Sequence, residues 1–349
     1  MTRDLWLVRD RVSLTPVPGA TTVLDGGFVL PGLVDAHCHI GMRPAGLIGS
    51  IDEVRSLALV DRSAGVLTIR DAGSPFPYGS ALDDEPDLPR LVRAGQHIAA
   101  PKRYMRDIGV EVSGEELLPE IRRQAAAGTG WVKLVGDWID RSVGDLAPSW
   151  DASVMAGAVA AAHEAGARVA VHTFGEESVA ALVRAGVDSV EHGTGLSDTD
   201  ISVMAASGVA LVPTMLNVAT FGRIAEHARP KFPAYADHML ALRDRLPAVV
   251  RSAHEAGVPI YVGTDAGGTI EHGLAAQEML LLASAGLSPT EVLRAGSWGA
   301  REWLGFPGLV EGGLADLVAY DEDPRRNLRT LLEPSLIVLR GRVVRPAHR

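Results

Sequence analysis

One phrase recurs along the middle of the chain: an alanine-rich amphipathic stretch, a small residue with glycine, a short apolar run, then a polar residue. It reads Ser63-Ala64-Gly65, Val66–Ile69, Arg70-Asp71, then Glu164-Ala165-Gly166, Val169–Val171, His172. It returns as Arg184-Ala185-Gly186, Val187–Val190, Glu191-His192, and as Ala206-Ser207-Gly208, Val209–Val212, Pro213-Thr214. The last copy is Glu255-Ala256-Gly257, Val258–Val262, Thr264-Asp265, and Gly128 before Trp131–Val135 is a looser one. Each glycine stands where a helix C-terminus needs a left-handed residue. Each apolar run suits a strand buried on both faces.

Strands that alternate with helices imply a parallel sheet with right-handed crossovers. A strand at 33–37 and a weaker one around 96–100 bring the count to about eight units, the number of a (β/α)8 TIM barrel, here over residues 31–307. An open doubly wound sheet is the alternative, but no Gly-x-Gly-x-x-Gly turn follows the first strand. The ends depart from the pattern. Residues 1–30 break into short β-like pieces with turns at Pro16, Pro18-Gly19 and Gly26-Gly27, and 308–349 carry strand patterns at Ala315–Tyr320 and Ser335–Val344, with a turn at Gly341. Together they predict a small composite β domain built from both termini.

Composition narrows the classes. A chain of 349 residues accommodates one large domain and an appendage. A formal net charge of −10 with no basic stripe argues against nucleic acid. No apolar signal core opens the chain and no apolar run reaches membrane-spanning length, so no membrane partner is expected. The single cysteine, Cys38, excludes an internal disulfide and fits a reducing compartment, which makes a soluble cytoplasmic protein the expectation. The stretch 221–235 suits either a lid or a contact in a homo-oligomer.

Candidate chemistry gathers at the strand ends, where such barrels place their active sites. Leu33-Val34-Asp35-Ala36-His37-Cys38-His39 sets two imidazoles at i and i+2, on one strand face about 6–7 Å apart, able to converge on one metal ion. Lys133, His172, His192 and Asp265 end later strands. Taken singly, each has a bland reading: a hydrogen-bonded rim histidine, or for Asp265 a helix cap. Their common placement favours one site.

Lys133 interrupts an apolar strand and is one of only three lysines among 33 basic residues, with Lys102 and Lys231. A desolvated amine there is either neutral and nucleophilic or snorkels to solvent. His163 and His254, at helix ends, read as structural, His227 and His238 fall in a helical stretch, and His348 lies in the tail.

This set resembles the amidohydrolase superfamily, through Leu30-Pro31-Gly32-Leu33-Val34-Asp35-Ala36-His37-Cys38-His39, Val132-Lys133-Leu134, Val171-His172, Val190-Glu191-His192-Gly193 and Gly263-Thr264-Asp265-Ala266-Gly267. Within it the chain looks most like imidazolonepropionase-like proteins and the metal-dependent prolidases, or Xaa-Pro dipeptidases. The resemblance implies two divalent metal ions, zinc being expected. His37, His39 and Asp265 would hold one, His172 and His192 the other, and a carboxylated Lys133 would bridge them. It implies hydrolysis of a carbonyl–nitrogen bond, in a small amide or dipeptide such as an Xaa-Pro or N-acyl amino acid, by a hydroxide bridging both metals. Asp265 would carry the proton and His192 would assist at the oxyanion.

Arg103, Tyr104, Arg106, Arg223 and His272 lie in segments expected to reach a small-molecule substrate. A lactonase or organophosphate esterase is the rival reading of the same site. A non-catalytic metal-binding barrel and a Schiff-base aldolase using Lys133 are the others.

Overall fold

Parallel strands and helices alternate as the repeated phrase predicts. In the computed structural model, which describes residues 4–44 and 46–345, six parallel strands run in the spatial order 109–111, 97–99, 131–135, 168–173, 189–192 and 210–212. A second parallel sheet holds Val66–Asp71 between Leu33–Cys38 and Arg90–Arg93. Only Ala94, Gly95 and Gln96 separate Arg93 from His97, so the chain itself carries one sheet into the other.

On the far side, segment 259–266 touches both sheets. Leu211 donates its N–H to the Pro259 carbonyl at 2.8 Å, and Ala36 donates to Val262 at 2.7 Å. The strand expected at Val258–Val262 is here reduced to isolated bridges, Leu211 with Ile260 and Cys38 with Ala266. Pro259 supplies no N–H, which thins the ladder at that point. The glycine reading holds in detail: Gly186 and Gly208 close helices Glu176–Ala185 and Asp198–Ser207 at φ of 83° and 72°. Gly128, the looser copy, sits at −83° instead.

The core lies between strands and helices, where Val132, Leu134, Val171, Val190 and Leu211 are fully buried with Ile121, Val159 and Leu182. On the other side of the strands the packing is not purely apolar. The buried Arg70 guanidinium lies 4.4 Å from the Trp131 ring centre and 4.9 Å from that of Trp303, and it donates to Glu191 at 2.8 Å. A buried cation between two indoles is tolerable because that carboxylate compensates it.

Both chain ends meet in one antiparallel sheet of Arg342–Arg345, Leu336–Leu339, Leu317–Tyr320 and Phe28–Pro31. The buried Asp316 fastens it to the larger body by accepting from Arg90 at 2.5 Å and Arg301 at 3.1 Å. His348 lies outside the described residues. Among those residues no helix is long and apolar enough to cross a membrane.

Candidate functional site

A bulge lets one strand aim two imidazoles at a single point. Asp35 lies opposite Ile69 and Cys38 opposite Asp71, so the stretch from Asp35 to Cys38 spends one residue more than its neighbour. Before the bulge Val34 and Ala36 pack inside with Trp131 and Ala170. Cys38 packs outward with Leu33 and Ile40, leaving His37 and His39 together on the inner side.

Hydrogen bonds then fix each ring. His37 Nδ1 lies 2.5 Å from Glu191 Oε2, the carboxylate that Arg70 and Ser189 also hold. His39 Nδ1 lies 2.5 Å from the Gly73 carbonyl, on a loop tied down by Asp71, which accepts from Gly73, Ser74 and Tyr78. Both partners accept, so each Nδ1 is the donor and, in the neutral imidazole, each Nε2 keeps its lone pair. Those two Nε2 atoms sit 3.2 and 2.9 Å from Asp265 Oδ1. Each of the three residues thus offers an electron-rich atom within 4.8 Å of the others, the donor set of a cation site.

A second pair stands beside it. His192 Nε2 is 2.9 Å from His172 Nδ1, and His192 Nδ1 is 2.6 Å from Thr214 Oγ1 and 4.0 Å from Asp265 Oδ2. Burial pushes both imidazoles well below their ordinary pKa, so they are neutral near pH 7 with lone pairs available. Lys133 Nζ and His172 Nε2 are buried and have no hydrogen-bond partner among the described residues. Burial also pulls Lys133 from 10.5 down to about 8. Three non-glycine residues at these strand ends take left-handed backbone: His192 at φ 65°, Thr214 at 45° and Asp265 at 58°. For a β-branched residue such as Thr214 this is strain, and strain of this kind concentrates at functional sites.

The six candidate metal-site residues, His37, His39, Lys133, His172, His192 and Asp265, therefore line one space at the strand ends. The substrate candidates divide. Tyr104 reaches the site, its ring 5.7 Å from His172 and 4.8 Å from Trp138. Arg103 does not; it braces the hairpin 137–148, donating to Asp140 at 2.8 Å and to the Trp138 and Ala147 carbonyls. Arg106 is exposed, and Arg223 lines a cavity next door.

His272 requires correction. It is buried behind the strand that carries His37, its Nδ1 2.8 Å from Asp61 Oδ2, rather than at the mouth. Burial would lower its pKa, but the Asp61 carboxylate overrides this and raises it. A raised folded-state value means the His272–Asp61 contribution is full below about pH 6.5 and is lost as pH climbs through the folded pKa. His272→Ala, which strands a buried carboxylate, should cost about 3–5 kcal/mol. Urea unfolding from pH 6 to 9 should show the gap to wild type narrowing with pH, and a pH-independent gap refutes the pairing.

Two residues escaped the sequence reading. His97 is fully buried, its ring 4.8 Å from His39 and 5.2 Å from Tyr104, with both nitrogens unpartnered. It opens the short strand His97–Ala99, so a reading of polar residues at the ends of apolar runs passes over it. Asn217 donates to Asp265 Oδ2 at 2.6 Å from a short helix, Met215–Val218, that no pattern announced.

Comparison with known proteins follows the same lines. The model of the amidohydrolase family matches residues 28–344. An uncharacterised protein of Mycobacterium tuberculosis is 50% identical over 344 residues, 98% of this chain and 92% of its own. The Aspergillus niger ochratoxinase is 26% identical over 175 residues, 48% of this chain and 35% of that enzyme. Among solved structures, a putative prolidase from Bifidobacterium longum superposes with a TM-score of 0.81 at 25% identity, over 98% of this chain and 89% of that one.

Proposed function

The chain belongs to the amidohydrolase family, and from that premise we propose that it hydrolyses a carbonyl–nitrogen bond with the help of two divalent metal ions. One observation carries the reading: the Nε2 atoms of His37 and His39 converge on Asp265 Oδ1 while both Nδ1 atoms are committed as donors. Electron-rich atoms that converge without a proton between them call for a cation. The family places these sites in closed barrels. The bonds from segment 259–266 to strands 33–38 and 210–212 support a closed (β/α)8 barrel over 31–307, with 1–30 and 308–349 as its small β domain.

In this reading His37, His39 and Asp265 hold one ion, and His172 and His192 the other. The Lys133 amine, kept partly neutral by burial, would add carbon dioxide and release a proton, and the resulting carbamate would offer oxygen donors to the ions. Zinc fits imidazole and carboxylate donors. When bound, the ions supply Lewis acidity toward the carbonyl oxygen and acidify water in the site.

The protein does the rest. Asp265, steadied by Asn217, accepts the proton of the attacking water and returns it to the leaving nitrogen. His192, fixed through Thr214, borders the space where the oxyanion develops. Tyr104, whose phenol burial pushes up, and His97, which burial keeps neutral, offer donors to the substrate. The small amides to test first are N-acyl amino acids and Xaa-Pro dipeptides, the latter suggested by the prolidase neighbour.

Metal content and turnover decide the matter together. Protein grown with zinc and bicarbonate should carry two ions per chain and cleave at least one amide of the panel. Chelation should abolish cleavage and zinc restore it. Two ions without turnover on amides, but with turnover on lactones or aryl phosphotriesters, would move the assignment to esterase. No bound metal would overturn the site.

A further inference from the structure

Beside the candidate site, and sharing none of its six metal-site residues, lies a cavity of about 600 Å³, within the range of small-molecule subsites. The two spaces share walls. The Trp138 ring lies 5.5 Å from that of His172, tilted by 51°, while the next residue on that strand, Ile139, lines the cavity from its other face. Thr269, also in the lining, donates to Asn217 at 3.1 Å, and Asn217 in turn donates to Asp265.

The cavity has two chemistries. Its deeper lining is apolar, with half-buried Ile139, Ile224 and Phe232 and buried Tyr235. Its rim carries the exposed side chains of Arg141, Arg223 and Lys231, and no carboxylate lines it. Among the described residues none of these three cations makes an ion pair within 4.0 Å. Other arginines do: Arg229 reaches Asp237 at 2.8 Å and Arg245 reaches Glu176 at 2.9 Å. In a chain of net charge −10, three unmatched cations around one apolar cavity single it out.

We propose that this cavity is a subsite for an apolar stem ending in an anion, such as a carboxylate or sulfonate. Resting on the amide-hydrolase reading, the inference gives the substrate its class: an amide whose charge lies a stem's length from the scissile bond. A dipeptide, by contrast, carries its carboxylate close to that bond. The apolar floor takes the stem, and the three cations meet the charge at the rim, where an arginine fork suits an oxyanion.

The test separates binding from hydrolysis. Octane-1-sulfonate, a poor metal ligand, is titrated calorimetrically into zinc-loaded protein beside 1-octanol and propane-1-sulfonate. Octane-1-sulfonate should bind at least about tenfold more tightly than either, the effect expected of charge-assisted contacts. The Arg141→Met, Arg223→Met double variant should lose that preference and keep its affinity for 1-octanol and its zinc. Equal affinities in wild type, or an unchanged preference in the variant, would overturn the subsite. In the hydrolytic arm, suberic acid monoanilide should show about a tenfold higher kcat/KM than octananilide in wild type and not in the variant. If no anilide or other amide is cleaved while the sulfonate preference stands, the subsite survives and the amide-hydrolase reading falls.

Discussion

Asp265→Asn should leave the fold and zinc content intact at saturating metal and lower kcat about 10²–10⁴-fold, the range for removal of a proton-transfer group. The substitution keeps the shape, and one carbonyl oxygen still faces the Nε2 atoms 3.2 and 2.9 Å away. What disappears is the basicity of the second oxygen. In wild type Oδ2 receives the Asn217 amide at 2.6 Å and lies 4.0 Å from His192. An amide nitrogen there has no proton affinity to offer. Weaker metal binding is expected as well, which is why the rate is compared at saturating zinc. Near wild-type kcat with a native circular dichroism spectrum would remove Asp265 from proton transfer and leave it a ligand.

The residues that end strands were legible because strand, glycine cap and helix repeat with a fixed rhythm. His172, His192 and Asp265 each follow an apolar run that such a cap opens, and the structure brings all three together. Legibility failed where position depends on contacts distant in sequence. His272 looked like a mouth residue because it follows Asp265 in a glycine-rich loop. Its partner, Asp61, is 211 residues away, and nothing local to either announces the pair.

Arg103 shares that fault, since its acceptors lie on a hairpin 35 to 45 residues downstream. His97 was hidden for another reason: its strand is broken at Gly95, one half pairing with Val66–Asp71 and the other with Trp131–Val135, so the apolar run is too short to stand out. Asn217 depends on the left-handed Thr214, a conformation that sequence alone gives no reason to assign to threonine. The buried polar network beneath the site was also unread. Arg70 seemed only a polar residue after a strand, whereas it organises Glu191 and through it His37.

The sharpest separation of stability from function should come from Lys133→Met. The side chain is buried at 1% exposure with an unpartnered Nζ, in a strand whose other members are apolar. Its fall from 10.5 to about 8 corresponds to a cost of about 3 kcal/mol to the folded, metal-free protein at neutral pH. Because the folded value lies below the unfolded one, the native state binds fewer protons between them. Stability of the metal-free protein therefore rises with pH from about 8 to about 10.5.

Methionine fills similar volume without a charge to desolvate. Metal-free Lys133→Met should thus be more stable than wild type by about 1–3 kcal/mol at pH 7, a range bounded by that desolvation cost. Its stability should lack the rise above pH 8. The same variant should bind fewer than two zinc ions and lose at least about 10³ in kcat, since metal assistance supplies several kcal/mol. Urea unfolding of chelated protein, metal analysis and steady-state kinetics on one preparation read all three. A variant that is less stable and still active would make Lys133 a packing residue. One that is more stable and inactive shows that the chain keeps a destabilising amine in its core because the reaction needs it.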